Sequence, residues 1–202
     1  MARNIQRKKL RFSYAVIGDG QTELFYLEHL KKINNYGYLI RPRFFDKISI
    51  DDADRMIKEL LDGGTNKVIY LTDYDTVVSG ETKVRYNKLI SDYKDEKHVM
   101  ICETMPSIEF WFLLHYQYTT RPFRNSNEAE AALKKYLPDY NKSKVYLEND
   151  KWFKELIRDN KQDKANENAI RLLSEKDKEN EYFPYTKINF AIDEFERLKG
   201  KA

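Results

Sequence analysis

Over residues 10–17 apolar and aromatic positions alternate with polar or small ones, Phe12, Tyr14 and Val16 sharing one side. This period of two predicts a strand. Gly18-Asp19-Gly20 breaks it. From about Thr22 the period becomes helical, with Leu24, Leu27, Leu30 and Ile33 on one stripe until Asn34, Asn35 and Gly37 end the helix. A second strand is expected within residues 38–48, edged at Pro42, which has no amide to donate. Ser49 with Asp52 has the spacing of a helix N-cap, and Met56, Ile57, Leu60 and Leu61 give that helix its buried face before Gly63-Gly64. Val68-Ile69-Tyr70-Leu71, within residues 67–72, is apolar without alternation, as a central strand covered on both faces requires. A helix over 81–93, a strand over 97–102 and an unusually apolar helix over 108–116, opened by Pro106, complete the series.

Strands alternating with helices predict an α/β fold, a mostly parallel sheet flanked by helices. After Gln117 helices are expected over 127–137, 145–158, 164–174 and 186–198, punctuated by Pro122, Pro138 and Pro184. Three parts follow: a basic N-terminal arm at 1–9, an α/β core at 10–117, and a C-terminal helical extension at 118–202 packed on that core. No linker or repeat separates the extension from the core.

Composition changes this picture little. The chain has 202 residues, an ordinary 41% of them apolar, and a net charge of only +3. Charge alone therefore does not demand a nucleic-acid partner. Arg3, Arg7, Lys8 and Lys9 crowd the arm, which suits phosphate contact or a solvated terminus equally. The single cysteine, Cys102, cannot form an internal disulfide, and the start of the chain lacks a signal-peptide core; a cytoplasmic location is expected. Cys102 closes the apolar run Val99-Met100-Ile101 and reads as a core thiol. No stretch is apolar for the roughly 18 residues that a membrane span needs. With His29, His98 and His115 the only histidines, no zinc-type spacing exists.

The chemistry lies in the acids. Asp19 stands in the turn after the first strand and Glu23 in the first helical turn, so both face the space above the sheet. Acids there also favour a helix N-terminus, which is the alternative for Glu23. Asp73 and Asp75 follow the third strand. On extended backbone their side chains share one side; in an exposed turn they do not. Both pairs fall at carboxyl ends of strands, where α/β sheets gather ligands. Carboxylates held together repel unless a cation or proton intervenes, and all-oxygen sites suit Mg²⁺ or Mn²⁺. Such ions activate water and stabilise a leaving oxygen in phosphodiester cleavage. Gly18-x-Gly20 is not a dinucleotide fingerprint, since Glu23 holds the third glycine position, and no Gly-Lys-Ser/Thr follows for a phosphate loop.

Four segments resemble the RloB-like family. Gly18-Asp19-Gly20-Gln21-Thr22-Glu23 followed by Phe25-Tyr26 resembles its opening motif, usually Glu-Gly-x-Thr-Glu and an aromatic pair. Thr72-Asp73-Tyr74-Asp75 resembles its Asp-x-Asp strand end. Thr104-Met105-Pro106-Ser107-Ile108-Glu109-Phe110-Trp111-Phe112-Leu113-Leu114-His115-Tyr116 resembles its most specific segment, and Tyr140-Asn141-Lys142 a later Tyr-x-Lys element. The resemblance implies a Toprim-like core with Asp73 and Asp75 as metal ligands, Asp19 at the first-strand acid position and Glu23 in support. It implies a Mg²⁺-dependent nuclease acting on DNA or RNA in bacterial phage defence, or a non-catalytic binding or sensing subunit beside an ATPase of the ABC/AAA type. Two positions depart from the pattern. Asp19 replaces a glutamate and shortens its reach by one methylene, and Met105 replaces an asparagine that offers an orienting amide.

The helix over 108–116 is apolar nearly all round and must be buried. Glu109 within it then needs a metal, an arginine or a lysine as partner. His115 reads as a satisfied core histidine. Lys142, singled out by the Tyr-x-Lys element, would neutralise a transition-state phosphate, although most lysines in so charged a chain are simply solvated. The expected site is therefore Asp19, Glu23 and Lys142 for catalysis, with Asp19, Glu23, Asp73, Asp75 and Glu109 around Mg²⁺ or Mn²⁺.

Overall fold

The computed structural model describes residues 12–42, 48–77, 80–176 and 180–201. The basic arm expected at 1–9 and the 43–47 part of the expected second strand lie outside these residues.

The alternating start of the chain forms β1 (Tyr14–Gly18), buried at every position. Helix α1 (Gln21–Asn34) ends at Asn35, which adopts the left-handed conformation that asparagine tolerates better than most residues (φ 54°, ψ 45°). Strand β2 (Leu39–Arg41) is short and partly exposed. Helix α2 (Ile50–Asp62) opens on a full capping box: the Ser49 hydroxyl accepts from the Asp52 amide, and the Asp52 carboxylate accepts from the Ser49 amide. Next come β3 (Lys67–Asp73), a 3₁₀ turn (Tyr74–Thr76), α3 (Gly80–Tyr93) and β4 (Val99–Met105). Strand β4 runs past the expected end at Cys102, because its last residues pair with both neighbouring strands. The remaining elements are α4 (Ile108–Leu114), α5 (Ser126–Leu133), α6 (Lys144–Glu148), α7 (Lys151–Ile157), α8 (Lys161–Glu175), β5 (Tyr185–Thr186) and α9 (Ile188–Leu198).

Two differences from expectation fall in the C-terminal part. The helix expected over 145–158 is two helices. Asn149 has extended backbone (φ −78°, ψ 123°) and ends α6, and its side chain accepts from the Lys151 amide at the start of α7. The stretch expected to be wholly helical also contributes β5. Thr104 pairs with Thr186 and Met105 with Tyr185, antiparallel, and the two threonine hydroxyls hydrogen-bond at 2.8 Å.

The sheet has the order β2-β1-β3-β4-β5, parallel except at β5. The chain goes outward from β1 to β2, then crosses back to β3 on the other side of β1. The connections leaving β1 and β3 therefore diverge, and a crevice opens between them at the carboxyl ends of the strands.

Helices cover both faces, which explains the unbroken apolar run in β3. Tyr14, Val16, Ile69, Leu71 and Cys102 face the larger apolar cluster, with residues of α1, α4, α8 and α9. Ile17, Val68, Tyr70 and Val99 face the smaller one, with Ala53, Ile57 and Leu89 of α2 and α3. Every residue of α4 is buried. Each of its large apolar side chains contributes about 1.5–3 kcal/mol by leaving water, and its one indole amine donates to the Tyr26 hydroxyl at 2.8 Å. From Phe123 to Leu198, apolar residues of the C-terminal part join the larger cluster. His115 is a core histidine, its Nδ1 3.0 Å from the Trp111 carbonyl and its pKa pushed down to about 4 by burial. Cys102 is a core thiol, pushed up to about 12 by the same cause. No helix among the described residues is long and apolar enough to cross a membrane.

Candidate functional site

The crevice between β1 and β3 is a cleft of about 410 Å³, and it brings together Asp19, Glu23, Asp73, Asp75, Glu109 and Lys142. Each comes from a different local device. Asp19 follows β1, Glu23 lies in the first turn of α1, Asp73 ends β3, and Asp75 sits in the 3₁₀ turn. Glu109 lies in the first turn of α4, and Lys142 in the loop before α6. The glycines of the opening motif make room for Glu23. A Cβ on Gly18 would stand 3.1 Å from the Glu23 Cβ, and one on Gly20 would stand 3.1 Å from Glu23 Oε2.

Hydrogen bonds orient the aspartates. Asp19 Oδ2 accepts from the Thr72 hydroxyl at 3.1 Å and from the Asp73 amide at 3.5 Å. Asp73 Oδ1 accepts from the Ile108 amide at 2.9 Å, and Asp75 Oδ2 from the Ser126 amide at 2.8 Å. Those amides begin α4 and α5 and have no partner within their helices. Asp73 and Asp75 therefore do not share a side of one extended strand. The chain leaves the strand at Asp73, and the 3₁₀ turn carries Asp75 round to the same cleft.

Glu109 is fully buried, and its carboxylate is engaged at both oxygens. Oε1 accepts from the Tyr140 hydroxyl at 2.9 Å and meets Lys142 Nζ at 3.0 Å, while Oε2 accepts from the Ser107 hydroxyl at 2.6 Å. Of the three partners open to it from the sequence, the structure supplies a lysine. Lys142 also stands 3.7 Å from Glu130, and its side chain remains 39% exposed toward the cleft.

Crowded carboxylates in a buried crevice hold protons. Burial, then the charges of Asp19 and Glu109, raise the Glu23 pKa to about 8. Burial and the neighbouring Glu23, Glu109, Asp19 and Asp75 push Asp73 well above the usual carboxylate range. For Lys142, burial works against the charge, but Glu109 and Glu130 outweigh it and the pKa rises. Among the described residues, no group of three or more His, Cys, Asp or Glu side chains stands, as it is, in an arrangement that could hold a metal ion. The donors are nonetheless all carboxylate oxygens, the set that hard divalent cations prefer. Their fit to such an ion is one of chemistry, and binding requires the side chains to rotate inward.

Sequence reasoning did not assign roles to Thr72, Ser107, Ser126 or Tyr140, which orient the acids. The first two adjoin site residues in the chain, and Tyr140 belongs to the Tyr-x-Lys element. Ser126 gave no signal, since it acts through a backbone amide. Asp19 also lines a second cavity of about 390 Å³ with Ser49, Thr72 and Arg85.

The class so defined is an α/β protein with a doubly wound, mostly parallel sheet and a carboxylate-lined cleft at its switch point. The model of the family described as RloB-like protein matches residues 14–195, and the chain belongs to the RloB-like family. Comparison with curated proteins and with solved structures gives no match.

Proposed function

We propose that the cleft binds Mg²⁺ or Mn²⁺ and hydrolyses phosphodiester bonds of DNA or RNA, in a Toprim-like core serving anti-phage defence. One observation carries this reading: carboxylates from three separate segments of the chain, with Asp19, Glu23 and Glu109 buried, and a lysine from a fourth line one cleft at the sheet's switch point. Asp19, Asp73 and Asp75 would hold the ion, whose chemistry when bound is to activate water and neutralise charge at phosphorus. Glu23, whose pKa burial and neighbouring acids raise to about 8 in the metal-free cleft, would release its proton more readily once a cation neutralised those acids, and so serve as a base. Lys142 presents its ammonium to a phosphate oxygen. Glu109 acts on the site through Lys142, because its own oxygens are already bonded.

The test is cleavage of labelled single- and double-stranded DNA and RNA with Mg²⁺, Mn²⁺ or chelator. Metal-dependent cleavage that is lost in Asp73→Ala and in Asp75→Ala is expected. Full activity in both variants would sink the proposal.

A second reading draws on Asp19, whose shorter side chain is turned to Thr72 and Asp73. A base so held, one methylene shorter than the family's glutamate, suits a binding or sensing subunit that works beside an ATPase of the ABC/AAA type. Stable co-purification with such an ATPase, and no turnover with either metal, would favour it.

A further inference from the structure

A further cavity of about 680 Å³, larger than the acidic cleft, adjoins it across the loop before α6. That volume lies within the range of about 300–1,000 Å³ typical of small-ligand sites. Tyr140, Asn141, Lys142 and Ser143 alternate between the two spaces. Tyr140 and Lys142 reach Glu109 at the cleft, whereas Asn141 and Ser143 line the cavity. The Asn141 carboxamide stiffens this partition, donating to the Asp139 carbonyl at 3.0 Å and accepting from the Ser143 amide and hydroxyl at 3.1 and 2.5 Å. Asn141 and Lys142 are consecutive residues, so the two spaces adjoin each other along this loop.

The two spaces differ in chemistry. The cleft offers carboxylates and one ammonium. The cavity offers the partly exposed ring of Tyr146 and the small exposed part of Trp152, otherwise packed in the core at 4% exposure; the two rings lie 24° from parallel with centroids 6.4 Å apart. Amide and hydroxyl groups of Asn141, Ser143 and Asn149 stand beside them. Its charged lining residues are two acids, Asp139 and Glu155, against one base, Lys151, a balance that disfavours a phosphate there. A neutral heteroaromatic ring with hydrogen-bonding edges satisfies all three features.

We propose that this cavity receives an unpaired nucleobase of the strand whose phosphodiester lies in the acidic cleft. The assignment rests on the phosphodiesterase reading of that cleft. It makes the preferred substrate single-stranded, or duplex with an extruded base, because a base inside a duplex cannot enter a cavity walled by Tyr146 and Trp152.

Trp152 lines the cavity and Trp111 is buried in α4, so tryptophan fluorescence of the full chain reports on the site. Divalent ions are chelated to prevent cleavage. A single-stranded oligonucleotide should quench the emission saturably, and the same strand without bases should not. In Trp152→Phe the quenching should vanish although Trp111 still emits. Binding read by anisotropy should weaken about tenfold in Tyr146→Ala and survive in Tyr146→Phe, which keeps the stacking ring. Equal quenching by the abasic strand, or quenching that persists in Trp152→Phe, overturns the proposal. The wild-type comparison decides this even if Tyr146→Ala fails to fold. Metal-dependent cleavage without base-dependent quenching rejects the base pocket and leaves the cleft reading intact. Base-dependent quenching without cleavage under any metal keeps the base site and rejects the phosphodiesterase reading.

Discussion

Removing the ammonium from Lys142 isolates the ion pair that lies at the centre of the site. In Lys142→Met the fully buried Glu109 keeps its bonds from Tyr140 and Ser107 but loses its only cationic partner among the described residues. At 3.0 Å the gross attraction is about 5 kcal/mol for an effective dielectric of about 20. Two facts reduce the net effect. The lysine side chain is 39% exposed, so solvent screens it, and fixing it costs rotamer entropy. Breaking a fully buried pair costs about 3–5 kcal/mol and an exposed one about 0–1. This half-buried pair falls between, at about 2–3 kcal/mol. Glu109→Gln should cost less, about 1–2 kcal/mol, because a carboxamide can still bond Tyr140 and Ser107, and the freed lysine turns to water and Glu130. The double variant should fall short of the sum by at least about 1 kcal/mol, since each change removes the same interaction. Urea unfolding of the four proteins in chelator, with equal m-values, measures this cycle. A Lys142→Met variant within about 0.5 kcal/mol of the parent, or additivity within that margin, would refute the reasoning.

Other expectations follow from the same geometry. Glu23 has its pKa raised from 4.5 to about 8, so between those values the native state keeps a proton that the unfolded chain has released. The contribution of Glu23 to metal-free stability should therefore be full below pH 4.5 and be lost as pH rises through about 8, by up to about 1.4 kcal/mol per unit. Asp73 adds to the effect in the same direction, and Glu23→Gln should flatten the profile; denaturant titrations across this range with chelator check both. Gly18→Ala should displace Glu23, whose Cβ would lie 3.1 Å from the new methyl group, and with it the acidic cleft, weakening Mn²⁺ binding measured by calorimetry; unchanged affinity would count against Glu23 supporting the metal site. Ser49→Ala removes the cap of α2 and should lower stability by about 1 kcal/mol without changing Mn²⁺ affinity. Cys102 should react with a thiol reagent only as fast as the protein opens, because its thiol is buried and held protonated.

What could be read in the sequence was local or periodic. The capping box of α2 was legible because two residues three positions apart, Ser49 and Asp52, complete it. The central position of β3 was legible because burial on two faces abolishes alternation. Asp19, Glu23, Asp73 and Asp75 were legible as candidates because strand ends and family motifs both mark them, whereas Glu109 stood out as an acid in an apolar helix and Lys142 through a family motif alone. The geometry of Asp75 was not, since whether a chain stays extended after a strand depends on what it meets: Asp75 finds the Ser126 amide from the far side of α4. Two-residue β5 has no pattern of its own and exists through pairing with β4. The partner of Glu109 was narrowed to a class of residue and not to one. A distant lysine leaves no periodic trace, and only the Tyr-x-Lys element set Lys142 apart from many others.

The pairing of β5 bears on how the molecule comes to be made. Thr104 meets its partner Thr186 across 82 positions of chain, and Tyr36 meets Glu196 across 160. A ribosome that has released only the α/β half has produced a sheet whose β4 edge is bare and whose first strand lacks its cover from α9. Such long-range closure slows folding, and a bare edge invites pairing with other chains. Assembly is thus forced to wait for the last elements. Nascent chains stalled before residue 185 should remain open to protease and prone to aggregate, and those that have cleared α9 should not.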